Sequence, residues 1–260
     1  MTSTAVAPAP DEAERKDLRE ILTKLADVGS VELKMNVPAE QRMSLRNLRM
    51  DPLKGRLREV VFFDTPDLAL FKAGIAVRGR RTQDRDDDTV TKLRPCMPAE
   101  LPASVRNSPN LKVELDVTRR THMVSASLKG VRPAGTLTDV LAGRMTLEKF
   151  LSKEQRSFMA DRLPDGLGWQ DLVPLGPTYV IVMKGVPEAS AHKLTVELWH
   201  FPGQVPLVEL STKSTPSEVF SLQKDVTEFL ATRGLTPTGE QEPKTRKALQ
   251  FFATHLESPA

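Results

Sequence analysis

Charged residues recur at every second position in a series of short apolar segments, and their types suit one kind of chemistry. From Val31 to Val37 the chain alternates strictly, with Val31, Leu33, Met35 and Val37 against Glu32, Lys34 and Asn36. Further along, Ala76, Arg78 and Arg80 oppose Ile75, Val77 and Gly79, and Lys92 and Arg94 flank Leu93. Lys112, Glu114 and Asp116 then oppose Leu111, Val113, Leu115 and Val117. Near the end, Glu197 and Trp199 oppose Val196 and Leu198, and Glu209, Ser211 and Lys213 oppose Val208 and Leu210. Successive strand residues point to opposite faces, so each segment is a strand with one apolar and one charged side. Clustered Arg and Lys fit phosphate oxygens, and carboxylates among them would hold the divalent cation that travels with a polyphosphate.

Two architectures give such alternation. A half-exposed antiparallel sheet is one. Its solvent face would normally mix Thr, Ser and Gln among the charges, whereas here both signs of full charge recur strand after strand. The other is a closed antiparallel barrel, with helices on its apolar outside and a polar bore. A bore crowded with cations and carboxylates is costly to build unless a ligand neutralises it.

The remaining elements must position these strands. Residues 1–10 form a Pro/Ala-rich lead, expected to be disordered, with neither the basic region nor the apolar core of a signal peptide. Residues 11–29 read as an amphipathic helix with Leu18, Ile21, Leu22 and Leu25 on one stripe and Gly29 at its end. Pro38 to Leu57 reads as a short helix and a loop. Strands follow at Arg58–Phe63, Ile75–Arg81, Thr89–Arg94 and Leu111–Val117, with Asp84 to Asp88 as a solvated hairpin tip. Ser125 to Gly130 reads as a short strand or a turn. Leu141 to Leu163 is helical, interrupted at Ser152, which opens a capping box with Gln155. Strands at Tyr179–Lys184, Lys193–Trp199 and Leu207–Lys213 complete the set. Thr215-Pro216-Ser217-Glu218 signals a helix start, Gly234 its end, and Lys244 to Leu256 a last helix.

The 260 residues, 39% hydrophobic and 27% charged, are an ordinary soluble composition. A net charge of +3 is too small and too dispersed for a duplex nucleic-acid binder. A single cysteine, Cys96, excludes an internal disulfide and suits a reducing cytoplasm. No apolar run reaches membrane-spanning length. No P-loop, GxGxxG, GxSxG, CxxC or HExxH motif is present.

The ordered segments resemble the CYTH proteins, or triphosphate tunnel metalloenzymes, from about Val31 to Phe252. Val31-Glu32-Leu33-Lys34 is similar to the end of the family's ExExK strand. Phe62-Phe63-Asp64-Thr65-Pro66 with Leu70, Gly74 and Arg78 resembles its YFDTPDxxLxxxGxxLRxR stretch. Thr91-Lys92-Leu93-Arg94-Pro95 resembles its lysine strand, Val113-Glu114 the next acidic strand, and Val208-Glu209-Leu210 its ELE strand. Lys244-Thr245-Arg246 is similar to the terminal SK-containing segment. The resemblance implies an α+β fold: a closed eight-stranded antiparallel tunnel with helices packed outside. The single tunnel domain would span 30–260, with a helical insertion at about 138–175 and C-terminal helices over 216–257. It departs from the pattern at Ser30, Ala76, Trp199 and Ser211, where the family has acidic or basic residues; Arg80 and Arg81 could stand in for the arginine missing at Ala76.

On that resemblance the expected activity is metal-dependent hydrolysis of an anionic phosphorylated small molecule: inorganic, nucleoside or thiamine triphosphate. Lys34 and Lys92 would be catalytic. Lys34, Arg78, Arg80, Lys92, Arg94 and Lys213 would grip the phosphates, and Glu32, Glu114 and Glu209 would hold Mg2+ or Mn2+. Asp116 and Glu197 suit a structural ion pair as well as a metal, and Lys129, Lys184, Lys244 and Arg246 are secondary candidates. Two alternatives stay open: a phosphate-ligand-binding module that has lost catalysis with Ser30 and Ser211, and a nucleotide-converting enzyme such as a cyclase. A monomer and a homodimer are both compatible with the sequence.

Overall fold

The apolar faces of the alternating segments do face away from their charged faces, across the wall of a closed barrel. The computed structural model describes residues 18, 20, 22, 30–118, 122–237 and 243–256. The expected lead lies outside these residues. So does most of the expected first helix, of which Leu18, Glu20 and Leu22 are helical.

The barrel strands are β1 (Ser30–Val37), β2 (Arg56–Asp64), β3 (Ile75–Thr82), β4 (Asp87–Leu93), β5 (Leu111–Val117), β6 (His122–Arg132), β7 (Val173–Gly185), β8 (Leu194–His200) and β9 (Leu207–Ser214). They close in the order β1-β5-β6-β4-β3-β2-β7-β8-β9. The expected count of eight becomes nine, because the segment read as a short strand or turn is the full strand β6. Its Ser125, Ser127 and Gly130 dilute the strand pattern, yet it pairs along its length with β4 and β5. The sheet is also not wholly antiparallel. Ser30 to Leu33 of β1 run parallel to Glu114 to Val117 of β5, the one parallel pairing among the described residues. This junction joins strands that no hairpin connects, so either direction is open to it.

Helices cover the outside, except the last, which packs against inward-facing strand residues. They are α1 (Ala69–Lys72), α2 (Ala103–Arg106), α3 (Thr136–Leu141), α4 (Leu147–Phe150), α5 (Lys153–Met159), α6 (Val219–Thr232) and α7 (Lys244–Leu256). One apolar cluster joins Val31 and Leu33 of β1, Leu194 and Val196 of β8 and Leu210 of β9 to Leu222, Val226 and Leu230 of α6. A second joins Val77, Ala126 and Leu128 to Leu137, Phe150, Phe158 and Met159 of the helical stretch. Each such side chain contributes about 1.5–3 kcal/mol by leaving water, so this outward face fixes the strand parity and turns the charged face inward.

Local capping anchors the helices, with two departures from expectation. The Ser152–Gln155 capping box forms, and Gln155 does more: its Oε1 accepts from Thr89 Oγ1 at 2.8 Å and its Nε2 donates to the Leu128 carbonyl at 3.0 Å. Asp87 and Asp88 are not a solvated tip, because β4 begins there and buries both. Asp87 Oδ2 accepts from the Leu137 amide at the start of α3. At α6 the helix starts later than expected; the Thr215 hydroxyl binds the Glu218 carboxylate at 2.8 Å instead of capping an amide. Among the described residues, no helix is long and apolar enough to cross a membrane.

Candidate functional site

The inward strand faces enclose a cavity of about 1800 Å³. Among the described residues, fourteen lysines and arginines line it against six aspartates and glutamates, so the bore carries an excess of positive charge. Its cations fall into three groups, each built by strand parity.

The first group gathers on Asp116 of β5. Lys34 Nζ donates to Oδ1 at 2.6 Å, while Lys92 Nζ and Arg94 Nη2 donate to Oδ2 at 3.0 and 2.7 Å. Burial pushes the Asp116 carboxyl up, but the charges of Lys34, Lys92 and Arg94 prevail and hold it far below the usual carboxylate range. One carboxylate cannot neutralise three cations, and the imbalance falls on Lys92. Burial, with Lys34 and Arg94 alongside, lowers its ammonium to a pKa of about 7. Arg94 is held in place by Gly74, which closes α1 at φ +77° and accepts from the Arg94 amide at 2.8 Å.

The second group is Arg58, Arg78, Arg80 and Lys184. Arg80 Nε donates to Asp88 Oδ1 at 2.6 Å, and Lys129 Nζ lies 3.6 Å from Asp88 Oδ2. Arg58 Nη1 is 3.7 Å from Glu197 Oε1. Arg78, between them, has a buried Nε with no hydrogen-bond partner. Burial, then the neighbouring charge of Arg80, lowers its pKa to about 9. Burial and Arg58 lower Lys184 as well. With Lys129 on Asp88 and Lys244 on Glu197, six cations share two carboxylates here, so an anion would relieve repulsion that the protein leaves standing.

The third group caps carboxylates. Glu114 Oε1 accepts from Lys112 Nζ at 2.5 Å and Lys213 Nζ at 2.6 Å, with the Ser30 hydroxyl 3.5 Å away. Glu197 and Glu209 are cross-strand partners on β8 and β9, and Lys244 of α7 donates to both, to Glu209 Oε1 at 2.7 Å. Trp199 Nε1 donates to Glu197 Oε2 at 3.1 Å, and the Lys244 ammonium lies 5.4 Å from the centre of its ring. Despite burial, Lys244 holds Glu197 to a pKa of about 2. Above Lys244 the bore is apolar. Val60, Phe62, Val180 and Trp199 of the inward face pack on Ala248 and Leu249, so α7 stops that part of the tunnel.

All the residues expected to grip phosphate line the cavity: Lys34, Arg78, Arg80, Lys92, Arg94 and Lys213. Lys129, Lys184 and Lys244 join them, whereas Arg246 lies against Phe71, its guanidinium 6.0 Å from the ring centre. Arg81 does not replace an arginine at Ala76; it points outward to Glu59 and Thr138 while Ala76 lines the bore. Arg58 and Lys112 were not singled out from the sequence. For Arg58 the signal was present, since Arg56, Arg58, Val60 and Phe62 share one parity of β2.

The expected metal ligands Glu32, Glu114 and Glu209 are not brought together. Among the described residues, no group of three or more His, Cys, Asp or Glu side chains could hold a metal ion. Glu32 Oε2 lies 3.3 Å from Lys34 Nζ, and Glu114 and Glu209 carry the ammonium groups named above. A cation about 4 Å from one such ammonium meets about 4 kcal/mol of repulsion per unit of its charge at an effective dielectric of about 20. The residues as they stand do not fit a divalent ion held by protein carboxylates.

No family model and no curated protein matches the chain. Solved structures do match. A candidate adenylate cyclase from Bacillus halodurans superposes with a TM-score of 0.58 at 16% identity, over 85% of this chain and 98% of that one. HpAC1 from Hippeastrum, a candidate adenylyl cyclase that reveals a dominant triphosphatase activity, gives 0.54 at 18% identity, over 81% and 91%. The chain shares the fold of these two proteins.

Proposed function

We propose that the bore binds a triphosphate-containing small molecule and hydrolyses its terminal anhydride. The observation that carries this is Arg78, a buried guanidinium without a partner on Nε, set among Arg58, Arg80 and Lys184 in a cavity with a large excess of cations. Such an arrangement is stable chiefly when an anion occupies it. Arg78, Arg80, Arg94 and Lys213 grip phosphate oxygens and offset the charge that develops on transfer. Lys92, with its pKa of about 7, is the proton carrier. Water oxygen bonds to the terminal phosphorus, the bridging P–O bond breaks as the Lys92 ammonium gives its proton to the leaving oxygen, and the amine so formed takes the water proton. Lys34 holds Asp116 in place beneath it. The triphosphatase activity of HpAC1, on the same fold, supports this choice over cyclisation.

A second reading keeps the binding without turnover. It is favoured by the ammonium groups sitting on Glu114, Glu197 and Glu209. Incubation with inorganic triphosphate, ATP and thiamine triphosphate, each with and without Mg2+ or Mn2+, separates the two. Phosphate release that disappears in Lys92→Ala supports hydrolysis; release that survives that change, or none at all, overturns it. Saturable binding without release establishes the second reading.

A further inference from the structure

The carboxylates of the bore already have cations, and those cations belong to the chain. Glu197 and Glu209 face each other across β8 and β9, and two carboxylates so placed on one inward face need positive charge between them. That charge comes from α7, which packs against inward-facing strand residues. Lys244 opens α7, its ammonium reaches both carboxylates, and Ala248 and Leu249 of the same helix lock it there against Trp199 and Phe62. Its side chain is 18% exposed and that of Glu197 14%, so the pair is largely shielded from water. Glu114 repeats the arrangement with two ammonium groups on a single oxygen. Mg2+ takes six oxygens, one or two of them from carboxylates that must be free to face it and the rest from water and substrate phosphates. Here Glu32, Glu114, Glu197 and Glu209 each carry at least one lysine ammonium, and Ser30 and Ser211 stand on the same inward faces without a carboxylate to add.

We propose that Lys244 is a resident cation that takes the place of a divalent metal between Glu197 and Glu209, and that the bore therefore binds polyphosphate without a divalent ion. The inference rests on the anion-binding part of the function proposed above. The ligand's negative charge meets Lys184, Arg58 and Arg78 of β7, β2 and β3, and Lys92 of the neighbouring β4 with Arg94 just beyond it. No bridging metal is required between a phosphate and an acid, because the acids are neutralised before the ligand arrives.

The test is titration calorimetry of the full chain with sodium tripolyphosphate, once in excess EDTA and once in saturating Mg2+. The expected result is an affinity that differs by no more than about twofold between the two. Binding that needs Mg2+ overturns the inference and leaves the anion-binding bore intact. Absence of binding in both overturns the inference and the proposed function together. Mn2+ binding followed by electron paramagnetic resonance supplies a readout that does not involve phosphate. The unmodified protein is expected to leave Mn2+ free, and stoichiometric Mn2+ binding overturns the proposal. Lys244→Ala, checked for folding by circular dichroism, is expected to gain a Mn2+ site that Lys244→Arg lacks; a folded Lys244→Ala protein without that gain also overturns it. If Lys244→Ala does not fold, the calorimetry and the Mn2+ titration of the unmodified chain still decide.

Discussion

Lys92 Nζ lies 3.0 Å from Asp116 Oδ2, yet its pKa stands at about 7, because burial and the charges of Lys34 and Arg94 outweigh the one carboxylate they share. Its ordinary value is 10.5. The unfolded chain therefore binds more protons than the folded one between about 7 and 10.5, and this group makes stability rise with pH across that window. Binding of an anion has the opposite dependence, since it favours the ammonium. Triphosphate affinity is expected to fall as pH rises through about 7, with proton uptake on binding. Calorimetry in buffers of different ionisation heat measures that uptake, and Lys92→Met should abolish it. A pH-independent affinity without uptake in the unmodified protein would refute the assignment.

Asp116 is the counter-ion that lets three cations share one wall. Its carboxyl is held far below its ordinary 3.8, so its contribution is present above that value and is lost as pH falls below it. Asp116→Asn removes the carboxylate from Lys92 and Arg94 and leaves Lys34 with Glu32, and breaking a buried pair in this way costs about 3–5 kcal/mol. Urea unfolding is expected to show a loss of that size, partly restored by added tripolyphosphate. An unchanged urea midpoint would remove Asp116 from this role.

The charged faces were legible in the sequence because a strand's period of two leaves no freedom once its apolar face is fixed. Parity alone placed Arg78, Arg80, Lys92 and Lys213 in the bore, and it could have placed Arg58. It could not show which charge pairs with which. Glu32, Glu114 and Glu209 have the parity of metal ligands, but the ring order sets Glu32 opposite Lys213 and Asn36 opposite Glu209, and pairing across strands follows closure, not sequence. Lys244 was harder still. Helical periodicity gives α7 an apolar stripe but does not say that the stripe faces inward-pointing strand residues instead of the outer wall. The strand β6 was faint for a local reason, its serines and Gly130, and only its two neighbours make it a strand.

Gln155 ties the helical stretch to the barrel at fully buried atoms, accepting from Thr89 and donating to the Leu128 carbonyl. Gln155→Met keeps the volume and leaves the Ser152 amide, the Thr89 hydroxyl and that carbonyl without this partner. Stranded buried polar groups cost about 1–3 kcal/mol. A fall in stability of that order is expected, with tripolyphosphate affinity unchanged because no bore residue moves. Loss of affinity at unchanged stability would show that the helical stretch acts on the site.

Arg78 offers the sharpest separation of stability from function. Its guanidinium is buried with Nε unpartnered, and burial and the charge of Arg80 outweigh the attraction of Glu197 and Asp88, so the folded protein bears a cost that its internal contacts only partly return. Arg78→Met retains the stem and removes the charge. Replacing a poorly compensated buried charge by an apolar side chain is commonly neutral or stabilising. Unfolding by heat is therefore expected at the same or a higher temperature. A hydrogen bond to a charged group is worth about 1.5–3 kcal/mol, so the affinity for tripolyphosphate should fall about 10- to 150-fold. Arg78→Lys should recover part of it, limited by the loss of the planar fork that matches phosphate. A destabilised Arg78→Met protein with unaltered affinity would make Arg78 a structural residue and move the anion site to the Asp116 wall.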